Sequence, residues 1–330
     1  MTSPIPSDPR STSLPWLSKV TGCEIRSTEW IGTDFGLSGH CCRVIGRDGQ
    51  GGEVDVVVKL TTEANASREI AFYRHYAPDT PIATPPFFGG GVADGRGYLV
   101  VGTVVDAIQG DVLAGTTRKG AEAMAGALAR LHGRWWNDSA LDRLRPLSPP
   151  QRSQPAVLTD ETVDRFLSKR GESLAPEHRS LIATLGTRLA GVHESLWGGA
   201  RTLIHTDAHL DNVLWSGDDP VFIDWEGAMV GPPEVDVARL LIEGMTPYQF
   251  GQFGSAVLAA YQQALLRSGR SEGIEESRVA DAALRSLAGI VGWIGGTEAP
   301  PPGGRTRLLG DNALRAALAV HDSLTEITDL

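Results

Sequence analysis

The sequence predicts an α+β chain in two lobes, β-rich over residues 19–105 and mainly helical over 106–330, and three observations carry this. Up to residue 105 apolar residues come in short β-type runs broken by glycine-rich stretches. Beyond it they recur at the three-and-four spacing of amphipathic helices. The length of 330 residues also exceeds the roughly 250 to 300 at which single cores stop growing, so two bodies of structure are expected.

Residues 1–18 hold four prolines and many Ser and Thr before any periodic segment, which reads as a flexible or loosely docked leader. Three strands follow at 24–31, 40–45 and 54–60, separated by the glycine-rich stretches 32–39 and 46–52, and form an antiparallel meander. A helix over 66–76, capped by Asn65 or Ser67, ends at two proline-rich segments. Strands at 87–92 and 98–105 are joined by Asp94-Gly95, a favoured hairpin turn. In the second lobe Ala121, Met124, Ala125, Leu128 and Leu131 share one face of a helix over 118–133. A small hairpin, 213–215 with 221–223, turns at Gly217-Asp218-Asp219-Pro220, and further helices are expected at 234–243, 247–267, 275–294 and 310–326.

Composition narrows the function. Thirty basic against forty acidic residues give a net charge of −10, which offers no overall basic field for nucleic acid or anionic lipid. No apolar run approaches the roughly 18 residues of a membrane span and no signal-like start is present, so a cytoplasmic protein is expected, of unassigned oligomeric state. Cys23, Cys41 and Cys42 are an odd set without zinc-ligand spacing and read as ordinary thiols.

The chemistry concentrates in His205-Thr-Asp207-Ala-His209-Leu-Asp211-Asn212 and, after the hairpin, Ile223-Asp224-Trp225-Glu226. Asp207 and Asn212, five apart in a loop before a strand, can present a carboxylate to an acceptor and an amide oxygen to a metal. Asp224 at the far end of the hairpin returns a second metal-binding carboxylate. Phosphoryl transfer needs this set, because its charge falls on oxygens that metal ions neutralise while a base lies beside the incoming hydroxyl. In the first lobe Lys59 lies on an apolar strand and Glu69 follows on the helix; a buried lysine needs such a partner, and donor phosphates complete the pairing. Glu63 is the competing acid. Gly32, Gly36 and Ser38 suit a loop whose amides approach phosphate oxygens, and Gly102 and Val104 mark a hinge whose backbone would meet the base of the nucleotide.

The motifs His205-x-Asp207-x-His209-x-x-Asn212 and Ile223-Asp224-Trp225-Glu226 resemble those of the aminoglycoside phosphotransferase and choline kinase group, whose members share the protein-kinase-like fold. The resemblance implies a small-molecule kinase that uses magnesium and ATP or GTP. It implies that His205 and His209 buttress the loop, that Asp207 positions or deprotonates the acceptor hydroxyl, and that Asn212 and Asp224 bind the metal. It also implies that Asp236, in Gly231-Pro-Pro-Glu-Val-Asp236, bonds back to the catalytic loop.

Only seven steps separate Asp224 from Gly231 and no Ala-Pro-Glu follows, so no peptide platform is expected and the acceptor should be small. Residues 276–330 hold seven acidic and five basic side chains, no acidic excess for a polycationic aminoglycoside. An antibiotic, sugar or nucleoside hydroxyl is favoured, with choline or another amino alcohol as the alternative and a catalytically silent nucleotide-binding module as the reading of another class. Asp211, Trp225, Glu226 and Trp293 are candidate acceptor contacts. His132, Trp135, Trp136 and Trp197 read as packing.

Overall fold

The structure, a computed structural model, describes residues 5–6, 13–31, 40–141, 156–297 and 303–325. The stretch carrying Gly32, Gly36 and Ser38 lies outside the described residues. The chain forms two compact units, Met1–Ile108 with Leu214–Ala228, and Gln109–Val213 with Met229–Leu330. The first carries the sheet and the second most of the helices, the mixed α and β architecture that the sequence predicts.

In the first unit helix α1 (Leu14–Thr21) begins inside the stretch 1–18 expected as a leader. The Ser13 hydroxyl accepts from the Trp16 amide, a proline sits in the first turn, and Gly22 ends the helix in the left-handed region. Trp16 and Leu17 are buried, and two core residues in eight leave no period to read.

Strands β1 (Cys23–Ile31), β2 (His40–Asp48), β3 (Glu53–Thr62), β4 (Phe87–Ala93) and β5 (Arg96–Gly102) form one antiparallel sheet in the order β1-β2-β3-β5-β4. Asp94 and Gly95 both take positive φ, as the mirror-image hairpin turn requires. Val44, Val56, Val58, Leu60 and Val100 pack with Trp16 and Leu17 on one face.

Helix α2 (Glu63–His75) starts three residues earlier than expected because the Thr62 hydroxyl, not Asn65 or Ser67, accepts the first free amide. The hairpin of Val213–Ser216 and Asp219–Phe222, expected in the helical lobe, contributes Leu214–Ala228 to the first unit. The unit also extends past the expected boundary at 105 to Ile108.

The second unit is built on α3 (Arg118–Trp135), α4 (Asp160–Arg170), α5 (Pro176–Trp197), α6 (Glu234–Glu243), α7 (Pro247–Arg267), α8 (Glu276–Gly296) and α9 (Arg305–Thr325). α8 packs against α4, α5, α6 and α9, and α3 against α7. α3 is buried on more than the predicted stripe, with Ala127, Ala129, His132 and Gly133 also inside. α9 begins five residues before the expected 310. Thr202–Ile204 pairs antiparallel with Met229–Gly231, a two-stranded ladder at the root of the loop that carries Asp207. No helix among the described residues is long and apolar enough to cross a membrane.

Candidate active site

In the second unit the loop after Thr202–Ile204 is held from below by one carboxylate. Asp236 on α6 accepts the His205 amide through Oδ2 and the Thr206 amide through Oδ1, each at 2.7 Å. Both bonds are charge-assisted, and the second helps fix Thr206 at φ 70°, a left-handed conformation costly for a β-branched residue. His132 reaches Asp236 at 3.1 Å and the Tyr261 hydroxyl at 2.7 Å, all three residues being fully buried. His132 is thus a satisfied core histidine.

This foundation presents Asp207. Its amide donates to His205 Nδ1 at 3.3 Å. Its Oδ1 accepts from Arg239 Nη2 at 2.7 Å, and its Oδ2 lies 3.2 Å from His209 Nε2 and 3.1 Å from Asn212 Nδ2. Burial would raise the Asp207 pKa, but the Arg239 guanidinium and His209 outweigh it and hold the carboxyl well below its ordinary range. Arg239 is fixed in turn by an ion pair to Glu243, one helical turn on. The Asn212 amide nitrogen also donates to the Asp207 carbonyl at 3.0 Å, which turns Asn212 Oδ1 away from Asp207.

Asp211 has a different place from the one expected. It is 5% exposed, accepts the Val112 amide at 2.8 Å and accepts from Arg305 Nη2 through both carboxylate oxygens, at 3.0 and 2.8 Å, while Arg305 Nη1 donates to Asp111 at 2.9 Å. It braces the loop and presents no face to an acceptor. Trp293 lines a small cavity with Lys169, Arg170, Arg307 and Gly310, and no loop residue shares that lining. It packs where α8 meets α9, so closely that a Cβ on Gly310 would lie 3.1 Å from its ring.

In the first unit Lys59 is nearly buried, and its ammonium is shared by three carboxylates: Glu69 at 2.9 Å, Asp224 at 2.6 Å and Glu226 at 3.1 Å. One ligand oxygen from each acid lies within 4.8 Å of the others. Burial works against the lysine's charge, yet the three acids raise its pKa well above the ordinary value. Burial also pushes Glu69 up, with Lys59 opposing it. Cys41, opposite Lys59 on β2, has its thiol pushed by burial up to about 12 and stays protonated. Glu63 is occupied elsewhere, accepting the Gly95 amide at 3.0 Å, so Glu69 is the lysine's helix partner.

Trp225 is corrected from acceptor contact to core. It is fully buried, its ring is stacked on Phe72 at 3.8 Å, and its indole N–H donates to the Phe222 carbonyl at 3.0 Å. Glu226 faces Lys59. At the expected hinge the Gly102 amide is spent on the Pro86 carbonyl at 2.7 Å, and the Val104 carbonyl accepts from Ala107 at 3.4 Å. Thr103 is bound through its amide and hydroxyl to Asp55, itself held by Arg43. The Gly102 amide can meet a base edge only by giving up its bond to Pro86.

The sheet-bearing unit with a lysine–glutamate pair, and the helical unit with an aspartate–asparagine loop, define a protein-kinase-like phosphotransferase. The chain belongs to the phosphotransferase enzyme family, which it matches over residues 43–318. Its enzyme class is therefore a phosphotransferase that acts on hydroxyl groups of small molecules.

Solved structures share the fold. A macrolide 2'-phosphotransferase from Brachybacterium faecium superposes with a TM-score of 0.51 at 17% identity, covering 92% of this chain and 94% of that one. A choline kinase from Streptococcus pneumoniae gives 0.53 at 15% identity, covering 93% and 96%. An amicoumacin kinase in complex with AMP-PNP, Ca2+ and amicoumacin gives 0.54 at 11% identity, covering 95% and 94%. No curated protein matches the sequence.

Proposed function

We propose that this chain transfers the terminal phosphoryl group of ATP or GTP to a hydroxyl of a neutral small molecule, with Asp207 as the base. The observation that carries this is the tethering of the Asp207 carboxylate, fixed through one oxygen by Arg239 and through the other by His209 and Asn212. A carboxylate so held stays ionised and points in one direction, which is what positioning an acceptor hydroxyl demands.

Lys59 is proposed to bind donor phosphates, with Glu69 holding it in place. The oxygen donors of Asp224 and Asn212 suit a hard divalent cation such as magnesium. The acid cluster on Lys59 in one unit and the averted Asn212 carbonyl in the other fit that assignment. When bound, the cation neutralises charge on the donor oxygens. The nucleotide analogue and Ca2+ in the amicoumacin kinase complex support this reading.

The acceptor is proposed to be neutral, such as a sugar, a nucleoside or an uncharged hydroxyl-bearing antibiotic. Asp207 and Glu243 are paired to Arg239, and Asp211 and Asp111 to Arg305, so each of these four acids around the loop already has a cation partner, two to each arginine. A polycationic aminoglycoside needs carboxylates without such partners. The buried Trp225 offers no ring face to a choline-like ammonium.

A phosphorylation screen by mass spectrometry, with ATP and GTP as separate donors, tests the proposal. Neutral polyols, nucleosides and uncharged hydroxyl-bearing antibiotics should include the preferred acceptor. Preferential phosphorylation of aminoglycosides or choline would overturn the acceptor class while leaving the reaction in place.

A further inference from the structure

Asp224 takes φ 63° and ψ 61°, a left-handed conformation uncommon outside glycine, asparagine and aspartate. The residues after it are held by α2 at three points. The Trp225 amide donates to Glu69 Oε1 at 3.2 Å. The Trp225 ring lies on Phe72 with centroids 3.8 Å and planes 6° apart. Arg68 Nε donates to the Glu226 carbonyl at 2.7 Å. Glu69 meanwhile holds Lys59, and Lys59 holds Asp224 Oδ1, so the chain of contacts closes on the carboxylate where it began.

We propose that Arg68 and Phe72 are positioning residues that hold the Asp224 carboxylate in place for its divalent cation. This rests on the reading of Asp224 as a metal ligand. Both residues act on Asp224 through its neighbours, Arg68 through the Glu226 backbone and Phe72 through the Trp225 ring. A loop carboxylate left to itself samples orientations that lose ligand geometry, and a buried stack with a guanidinium–carbonyl bond removes that freedom. α2 and the segment after Asp224 therefore move as one body. If α2 swung outward it would take Glu69 from both Lys59 and the Trp225 amide, so displacement of this helix and loss of metal-ligand geometry are one event here.

The test is Mn2+ binding followed by electron paramagnetic resonance, with AMP-PNP present, on the full-length protein. It compares the parent with Arg68→Met, Arg68→Lys, Phe72→Leu and Asp224→Asn. AMP-PNP binding without metal and thermal melting are measured alongside. Arg68→Met and Phe72→Leu should each weaken Mn2+ binding about fivefold, the effect of losing one good contact, with metal-free AMP-PNP affinity within about twofold of the parent. Arg68→Lys should recover part of the loss, because an ammonium can still donate to the carbonyl.

Mn2+ affinity unchanged in Arg68→Met, but lost in Asp224→Asn, overturns the positioning role alone. Mn2+ affinity unchanged in Asp224→Asn overturns the metal-ligand reading and this inference with it. If Phe72→Leu fails to fold, Arg68→Met carries the test, because its half-buried side chain lies outside the core.

Discussion

The two acid-rich regions of the molecule are held by cations of different kinds. Around Lys59 three carboxylates share one ammonium, whereas around the catalytic loop Arg239 and Arg305 each hold two carboxylates. A lysine is a point charge on a flexible stem and can exchange partners when phosphates or a divalent cation arrive. An arginine is a planar fork that holds its partners in fixed geometry. On the proposed reading, the first region can therefore rearrange around donor phosphates and a cation, while the second keeps Asp207 in one geometry.

The largest expected effect breaks the second region at its centre. Asp207→Asn should lower kcat by about a thousandfold while leaving the nucleotide Kd within about twofold, measured by steady-state turnover and calorimetry. Lys59→Met breaks the first region and leaves three acids around an apolar side chain. It should cost about 3 kcal/mol or more in stability, seen as a lower Tm. The sign of its pH dependence follows from Glu69, whose carboxyl burial raises. A carboxyl whose folded-state pKa is raised contributes stability at low pH that is lost as pH rises, so the variant should recover towards the parent as pH falls.

Arg239→Met is a smaller and sharper break. Burial pushes Asp207 up and Arg239 leads the groups that pull it down, so the parent should show no acid limb from this base above about pH 4. Without Arg239 that limb should move to higher pH and kcat at neutral pH should fall about tenfold, read from a pH–rate profile. The stability that the lowered pKa contributes is present above the unfolded-state value of about 3.9 and is lost as pH falls. Asp211→Asn keeps the acceptor for the Val112 amide but weakens the Arg305 fork, so Tm should fall modestly, by the equivalent of about 1 kcal/mol, with KM for the acceptor unchanged. An altered acceptor KM would restore Asp211 to the acceptor site.

The parts of the site that the sequence displays plainly are those whose spacing is short. Lys59 and Glu69 lie ten residues apart across one strand-to-helix step, and Asp207 and Asn212 five apart in one loop. Arg239 is hidden because it is 32 residues from Asp207 and is marked only by lying one turn after Asp236 on α6. Arg305 is more distant still, 94 residues from Asp211.

Trp225 was misread for a physical reason: an aromatic beside an acid looks the same in sequence whether its ring faces solvent or a buried Phe72. Among the helices, α5 carries a legible pattern in Ile182, Leu185, Leu189, Val192 and Leu196, which alternate steps of three and four. The pattern of α4 is thin, with Val163 and Phe166 its buried residues, and no period reading could establish it.

The proposed reaction is metal-dependent transfer of the donor's terminal phosphoryl group to an acceptor hydroxyl. It is tested most directly with ATP carrying 18O in that group, incubated with the protein, magnesium and the neutral acceptors, and analysed by mass spectrometry. One labelled phosphoryl should appear on an acceptor hydroxyl for each ADP formed, and none once the divalent cation is chelated. Transfer undiminished without the cation, or ADP formed with all the labelled phosphate released to water in the presence of every acceptor, would contradict it.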